Sequence, residues 1–155
     1  MTRIIRTILV LCASLVTCSG VVAQAYKVRL VAESPEGKDV VNAVGAKLRA
    51  NSRYALTDES KVDFTLDVEC ASQAQTGFVC ATSAFYWGQT VFPLPAPMGG
   101  IGLFKGPNAA SVAEAVSQAF VSQTTDENIG LIARMMHEWV TIFCKNPANK
   151  SFCQP

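Results

Sequence analysis

The sequence is poor in the residues that catalytic and metal sites use most. It has one histidine, and only 16% of its 155 residues are charged. That histidine, His137, belongs to no motif with a serine or cysteine nucleophile, and the cysteine spacing fits neither a C-x-x-C redox pair nor a zinc site. A formal net charge of +1 with no basic stripe also argues against an electrostatic nucleic-acid binder. We therefore expect no catalytic residue, cofactor, metal or nucleic-acid partner, and we do not expect an enzyme.

Long apolar runs are also missing after residue 25, because none reaches the roughly 20 residues of a transmembrane helix. The first 25 residues differ: a basic start, Met1–Arg6, precedes the uncharged run Thr7–Cys18, and Ala23–Ala25 offers the small residues of a cleavage site. The sequence predicts a signal peptide over residues 1–25 and one exported domain over residues 26–155, periplasmic or secreted. The alternatives are lipidation at Cys18 and an uncleaved anchor.

The cysteines beyond residue 25 are expected to form disulfides, because an even number in an exported chain indicates paired thiols. Residues 62–70 alternate apolar with polar side chains, and a second strand over residues 78–87 completes a hairpin centred on Gln75. That register places Cys70 opposite Cys80, and a bond from Cys144 to Cys153 would hold the carboxy terminus. The alternative pairing joins the final helix to the hairpin.

The periodicity predicts strands and helices in the order β-α-β-β-β-α-α. A strand over residues 26–33 precedes a helix over residues 38–50, and two further helices cover residues 111–123 and 126–144. The fold class is α+β: a two-layer sandwich with a mixed or mostly antiparallel sheet and helices on one face. The first strand, joined through a helix to the second, is expected to add a parallel pair.

Two capping boxes are predicted to begin the last two helices, Ser111 with Glu114 and Thr124 with Glu127. The final helix carries a wide apolar stripe, which is typical of a helix that buries one side. The stripe comprises Ile129, Ile132, Met136, Trp139 and Phe143.

The acidic residues of the predicted hairpin, Asp63, Asp67 and Glu69, lie on one face of their strand. Calcium loops need a glycine-bearing turn with converging oxygens, which this strand does not offer. We interpret these carboxylates as the solvated side of the sheet.

The segments Asn51–Asp58 and Val62–Val68, preceded by a helix, resemble small α/β domains of bacterial envelope assembly proteins. Similar phrases occur in the TolB amino-terminal domain, the curli-secretion lipoprotein and the penicillin-binding-protein activator lipoproteins. This sequence lacks the glycine that usually ends the second strand and adds a cysteine pair. The resemblance implies a periplasmic accessory or scaffold domain that acts through protein contacts.

The segment 92–108, "FPLPAPMGGIGLFKGPN", is too rich in proline and glycine for an ordinary strand or helix. Its glycines fit neither a dinucleotide loop nor a P-loop, because Lys105 precedes Gly106. One interpretation is a cover over the domain's own core, with residues 101–104 as a short added strand. The other is a partner-binding surface. That surface would comprise Trp87, Phe92, Leu94, Met98, Ile101, Leu103 and Phe104.

A protein partner in the cell envelope is favoured over a membrane, because Lys105 is the one basic residue of this segment. The leading hypothesis is an exported, non-enzymatic binding or assembly accessory. The alternative is a secreted inhibitor of another protein, such as a hydrolase, whose cleft the stiff segment would enter.

Overall fold

The computed structural model describes residues 24–73, 77–87 and 96–153. The predicted signal peptide, apart from its last two residues, and Cys18 lie outside these ranges. The described elements in chain order are β1 (Tyr26–Val31), α1 (Pro35–Arg49), β2 (Tyr54–Leu56), β3 (Phe64–Gln73), β4 (Gly77–Tyr86), β5 (Ala96–Gly106), α2 (Ala109–Gln123), α3 (Asp126–Lys145) and a 3-10 helix (Pro147–Phe152).

The strands form one mixed sheet in the order β2-β1-β3-β4-β5. β1 runs parallel to both β2 and β3, and the pairs β3–β4 and β4–β5 are antiparallel. The α+β class and the parallel first pair are confirmed. β5 is longer than the short strand that residues 101–104 suggested, so the prediction that this segment is too broken for a regular strand is wrong for residues 96–106.

The hairpin of β3 and β4 has the predicted register, from Phe64 opposite Tyr86 to Gln73 opposite Gly77. Cys70 lies opposite Cys80, and the two are disulfide-bonded. The second predicted bond, between Cys144 and Cys153, is also present. It ties the end of α3 to the residue that follows the 3-10 helix.

The hydrophobic core lies between one face of the sheet and the helices α1 and α2. Each helix contributes buried residues at helical spacing, and β1 and β3 contribute alternate residues, because side chains of a strand point to opposite faces in turn. Phe64 and Phe120 are the largest fully buried side chains. The fully buried valine and leucine residues are Val28, Val40, Val44, Leu48, Leu66, Val68, Val112 and Val116.

Both predicted capping boxes are wrong. α2 begins at Ala109, two residues before Ser111, and its cap is Asn108, whose side chain accepts the Ser111 backbone N–H at 2.9 Å. α3 is capped by Thr125, whose hydroxyl oxygen accepts the Asn128 N–H. Asparagine and threonine are both good N-caps, so these sequences offered several starting points of similar quality.

The helix α1 also begins earlier than predicted, at Pro35 and not at Lys38. Ser34 caps it by accepting the Gly37 N–H at 3.1 Å, and proline fits the first turn because its missing N–H is not needed there. The Ser34 hydroxyl also accepts the Cys70 N–H from β3. The cap therefore joins the start of α1 to the hairpin.

Thr124, which follows α2, is fully buried and anchors α2 to β2. Its hydroxyl donates to the Phe120 carbonyl at 2.9 Å and lies 2.5 Å from the Tyr54 hydroxyl, which is also buried. Beside this pair, the Arg53 guanidinium donates to the Thr124 carbonyl and to Asp126. The junction between α2 and α3 is thus fixed against the start of β2.

Removing the Thr124 hydroxyl is expected to destabilise the fold. Thr124→Val keeps the side-chain shape but leaves the buried Tyr54 hydroxyl without this bond, which costs about 1–3 kcal/mol of unfolding free energy. Urea unfolding of this variant, of Tyr54→Phe and of the double variant measures the coupling. The double variant should lose less unfolding free energy than the sum of the losses of the two single variants. Strictly additive losses would contradict the bond.

Candidate functional site

The predicted partner-binding residues fall into three groups in the structure. Phe92 and Leu94 lie outside the described residues, and Met98 belongs to β5 but its side chain is also outside them. Trp87 directly follows β4, and the remaining residues, Ile101, Leu103 and Phe104, lie on β5. β5 is an edge strand of the described sheet.

A bulge in β5 separates Leu103 from its two apolar neighbours. Thr82 pairs with Gly102 while Ser83 pairs with Gly100, so Ile101 is an extra residue on β5. Gly102 has a φ of 122°, a conformation that favours glycine.

Because of this extra residue, Ile101 and Phe104 both pack against the core although they are three positions apart. They cover the core from within the sheet. Leu103 faces the other side, opposite the exposed Ala81, and is 73% exposed. The structure therefore does not bring these three side chains together in one surface.

Trp87 lies on the same sheet face as Leu103, since it follows Phe85 by two residues and bonds to Thr65. Its indole N–H donates to the Thr65 hydroxyl at 2.8 Å, and its backbone N–H donates to the Asp63 carbonyl. Arg29 approaches the same hydroxyl at 3.5 Å. This half-buried tryptophan covers Thr65, which explains why a polar residue on this face is buried.

The acidic residues of β3 have structural partners that the sequence did not reveal. Asp63, just before β3, accepts the Lys27 backbone N–H at 2.7 Å, and Glu69 accepts the backbone N–H groups of Glu33 and Ser34. The first of these two bonds to Glu69 is the main reason that its pKa lies below the usual range. Both carboxylates thus fasten β1 and the following turn to β3.

Asp67, between them, is in a different environment. Burial raises the pKa of its carboxyl, and the negative charges of Glu69 and Glu33 add to that effect. Within residues 24–73, 77–87 and 96–153, no three side chains of His, Cys, Asp or Glu are grouped as metal ligands would be.

The helix α3 carries a second exposed apolar surface, which includes Trp139 from the stripe predicted for this helix. Of its residues, all of which the structure describes, Ile129 alone is buried. Four large apolar side chains are instead 48–69% exposed, and we call them the α3 outer face: Leu131, Met135, Trp139 and Ile142. His137 is also exposed on this helix, and its backbone carbonyl accepts the Thr141 hydroxyl. In the described part of the chain, no helix is long and apolar enough to cross a membrane.

No protein-family model and no curated protein sequence matches this chain. Among solved structures, the crystal structure of TolB from Acinetobacter baumannii is similar to it, with a TM-score of 0.54 and 14% sequence identity. The similarity covers 66% of this chain and 29% of the TolB chain. At this identity the likeness shows a shared fold, which agrees with the resemblance of Asn51–Asp58 and Val62–Val68 to the TolB family.

Proposed function

We propose that this chain is an exported, non-enzymatic domain that binds another protein of the bacterial cell envelope and serves as a binding or assembly accessory. Two disulfides support export, because such bonds persist in oxidising compartments. The signal-peptide pattern of residues 1–25 and the envelope-assembly resemblance favour the same location. The fold shared with TolB is consistent with this role.

The observation that carries the proposal is the position of Leu103. It is the most exposed of the large apolar side chains that the structure describes, and it lies on an edge strand. Burying one leucine against a partner contributes about 1.5–3 kcal/mol. Edge strands also present unpaired backbone N–H and C=O groups.

We therefore expect an extended segment of the partner protein to lie along β5 and to cover Leu103. Backbone hydrogen bonds to a strand edge supply affinity, and alternate side chains supply specificity. Lys105, on the same side of β5 as Leu103, lies next to this contact.

Photo-crosslinking from position 105 in the intact envelope tests this contact. We expect one discrete adduct, which Leu103→Ser abolishes and the apolar Leu103→Met retains. A crosslinker at Asn42, an exposed position of α1, is the matched control and should give no such adduct. Circular dichroism should show the same melting temperature for both Leu103 variants.

Two results would reject the proposed contact: an adduct that survives Leu103→Ser, or an equal adduct from position 42. A discrete adduct found only with a protein in the culture supernatant would favour the inhibitor alternative over an envelope accessory.

A further inference from the structure

The α3 outer face is a continuous apolar stripe along the helix. Leu131, Met135, Trp139 and Ile142 follow one another at intervals of three or four residues, so they lie on one side of the helix. Their exposure of 48–69% contrasts with buried Ile129 at the first turns of α3. A helix of 20 residues spans about 30 Å, which is long enough for an extended helix-to-helix contact.

Charged residues follow one border of this face in alternating sign. Glu127, Arg134, Glu138 and Lys145 are all exposed, and intervals of seven and four residues keep them on nearly one line along α3. The other border carries the half-buried Ile132, Met136 and Phe143 and has no charge.

This order of charges is complementary to itself when a second α3 packs antiparallel. In that arrangement the charged border faces the same border of the second copy, as in antiparallel coiled coils. Arg134 then faces Glu138 of the second copy, and Glu127 faces Lys145 of the second copy. Two-fold symmetry repeats both ion pairs.

The apolar residues match in the same alignment. Leu131 lies opposite Ile142 of the second copy, and Met135 lies close to Trp139 of the second copy. A parallel pair would place the charged border against the uncharged one and would form none of these ion pairs. The charge order therefore favours one partner and one orientation.

We propose that a second copy of this chain covers the α3 outer face, so that the protein forms an antiparallel dimer through α3. This surface does not include Leu103, which lies on β5 and faces away from the core, and the dimer does not depend on the function proposed above.

Charge variants of the mature, disulfide-bonded chain test the dimer by sedimentation equilibrium. The wild type should show a concentration-dependent equilibrium between monomer and dimer. Arg134→Glu and Glu138→Lys each place like charges opposite one another, which should raise the dissociation constant about tenfold or more. The double variant restores opposite charges with reversed polarity, so its dissociation constant should return to within about threefold of the wild type.

Leu103→Ser is the matched control and should leave the dimer unchanged, so that failure of this proposal and of the β5 contact are distinguishable. Orientation is tested by mixing two variants, Leu131→Cys and Ile142→Cys. Mild oxidation of the mixture should give a mixed disulfide dimer, while Leu131→Cys alone should give little.

A monomer at all concentrations would overturn the proposal. So would a dimer that is insensitive to both single charge variants, a double variant without recovery, or efficient oxidation of Leu131→Cys alone.

Discussion

Phe64→Ala is expected to lower the free energy of unfolding by about 3–5 kcal/mol, the range for removing a buried aromatic ring. Phe64, the first residue of β3, is fully buried, and three aromatic rings surround it. Its ring centroid lies 5.4 Å from Tyr26, 5.2 Å from Tyr86 and 5.8 Å from Phe120. The substitution leaves a cavity where β1, β4 and α2 meet, and urea unfolding followed by far-ultraviolet circular dichroism measures the loss.

Leu103→Ala is the control for this experiment, because it also truncates a large apolar side chain but at an exposed position. Its unfolding free energy should stay within about 0.5 kcal/mol of the wild type. A loss below about 1 kcal/mol for Phe64→Ala would contradict the central position of this ring.

The double substitution Cys70→Ala/Cys80→Ala is expected to cost about 2–4 kcal/mol, because the disulfide restricts the unfolded chain. The bond closes the β3–β4 hairpin in the interior of the sheet, and both cysteines are buried. The loss of the bond should therefore affect the main unfolding transition. Urea unfolding of the variant and the wild type under non-reducing conditions measures the difference.

The other disulfide provides the comparison. Cys144→Ala/Cys153→Ala releases a tail that contacts α3, away from the buried core, so its effect on the main unfolding transition should be smaller. Limited proteolysis should instead cut faster after residue 145. Equal effects of the two double substitutions on the main transition would contradict this assignment.

The hairpin could be predicted because two independent signals agree on it. Strict alternation over residues 62–70 identified the strand face, and the turn centred on Gln75 set the register that places Cys70 opposite Cys80. The helices α1 to α3 were also evident from apolar periodicity, although their first residues were not. For α2 and α3, more than one serine, threonine or asparagine side chain near the start can accept the first free N–H groups.

The strand β5 could not be predicted in full because its amino-acid composition does not favour a strand. Glycine and proline lower strand propensity, and the bulge at Gly102 breaks the alternation on which strand prediction depends. Residues 96–106 form a strand because they pair with β4. The roles of Asp63 and Glu69 as acceptors of backbone N–H groups were hidden for a similar reason, since they depend on a strand far away in sequence.

For α3, the sequence identified the apolar residues but not their environment. A wide apolar stripe predicts that something covers it, and it does not say whether the cover belongs to the same chain. Within this chain, Ile129 is buried while Leu131 and Ile142 are exposed. The exposed residues of α3 are therefore the ones that a second molecule would cover.

Because of the bulge at Gly102, substituting one side chain of β5 and changing the number of its residues would have different consequences. Exchanging the side chain at position 103 alters only what the outside of the sheet presents. Inserting or deleting one residue nearby would shift the phase of the strand and turn inward-facing residues outward. Related sequences that keep the proposed partner contact should therefore retain a large apolar residue at position 103, and all should keep the spacing from Ile101 to Phe104 constant.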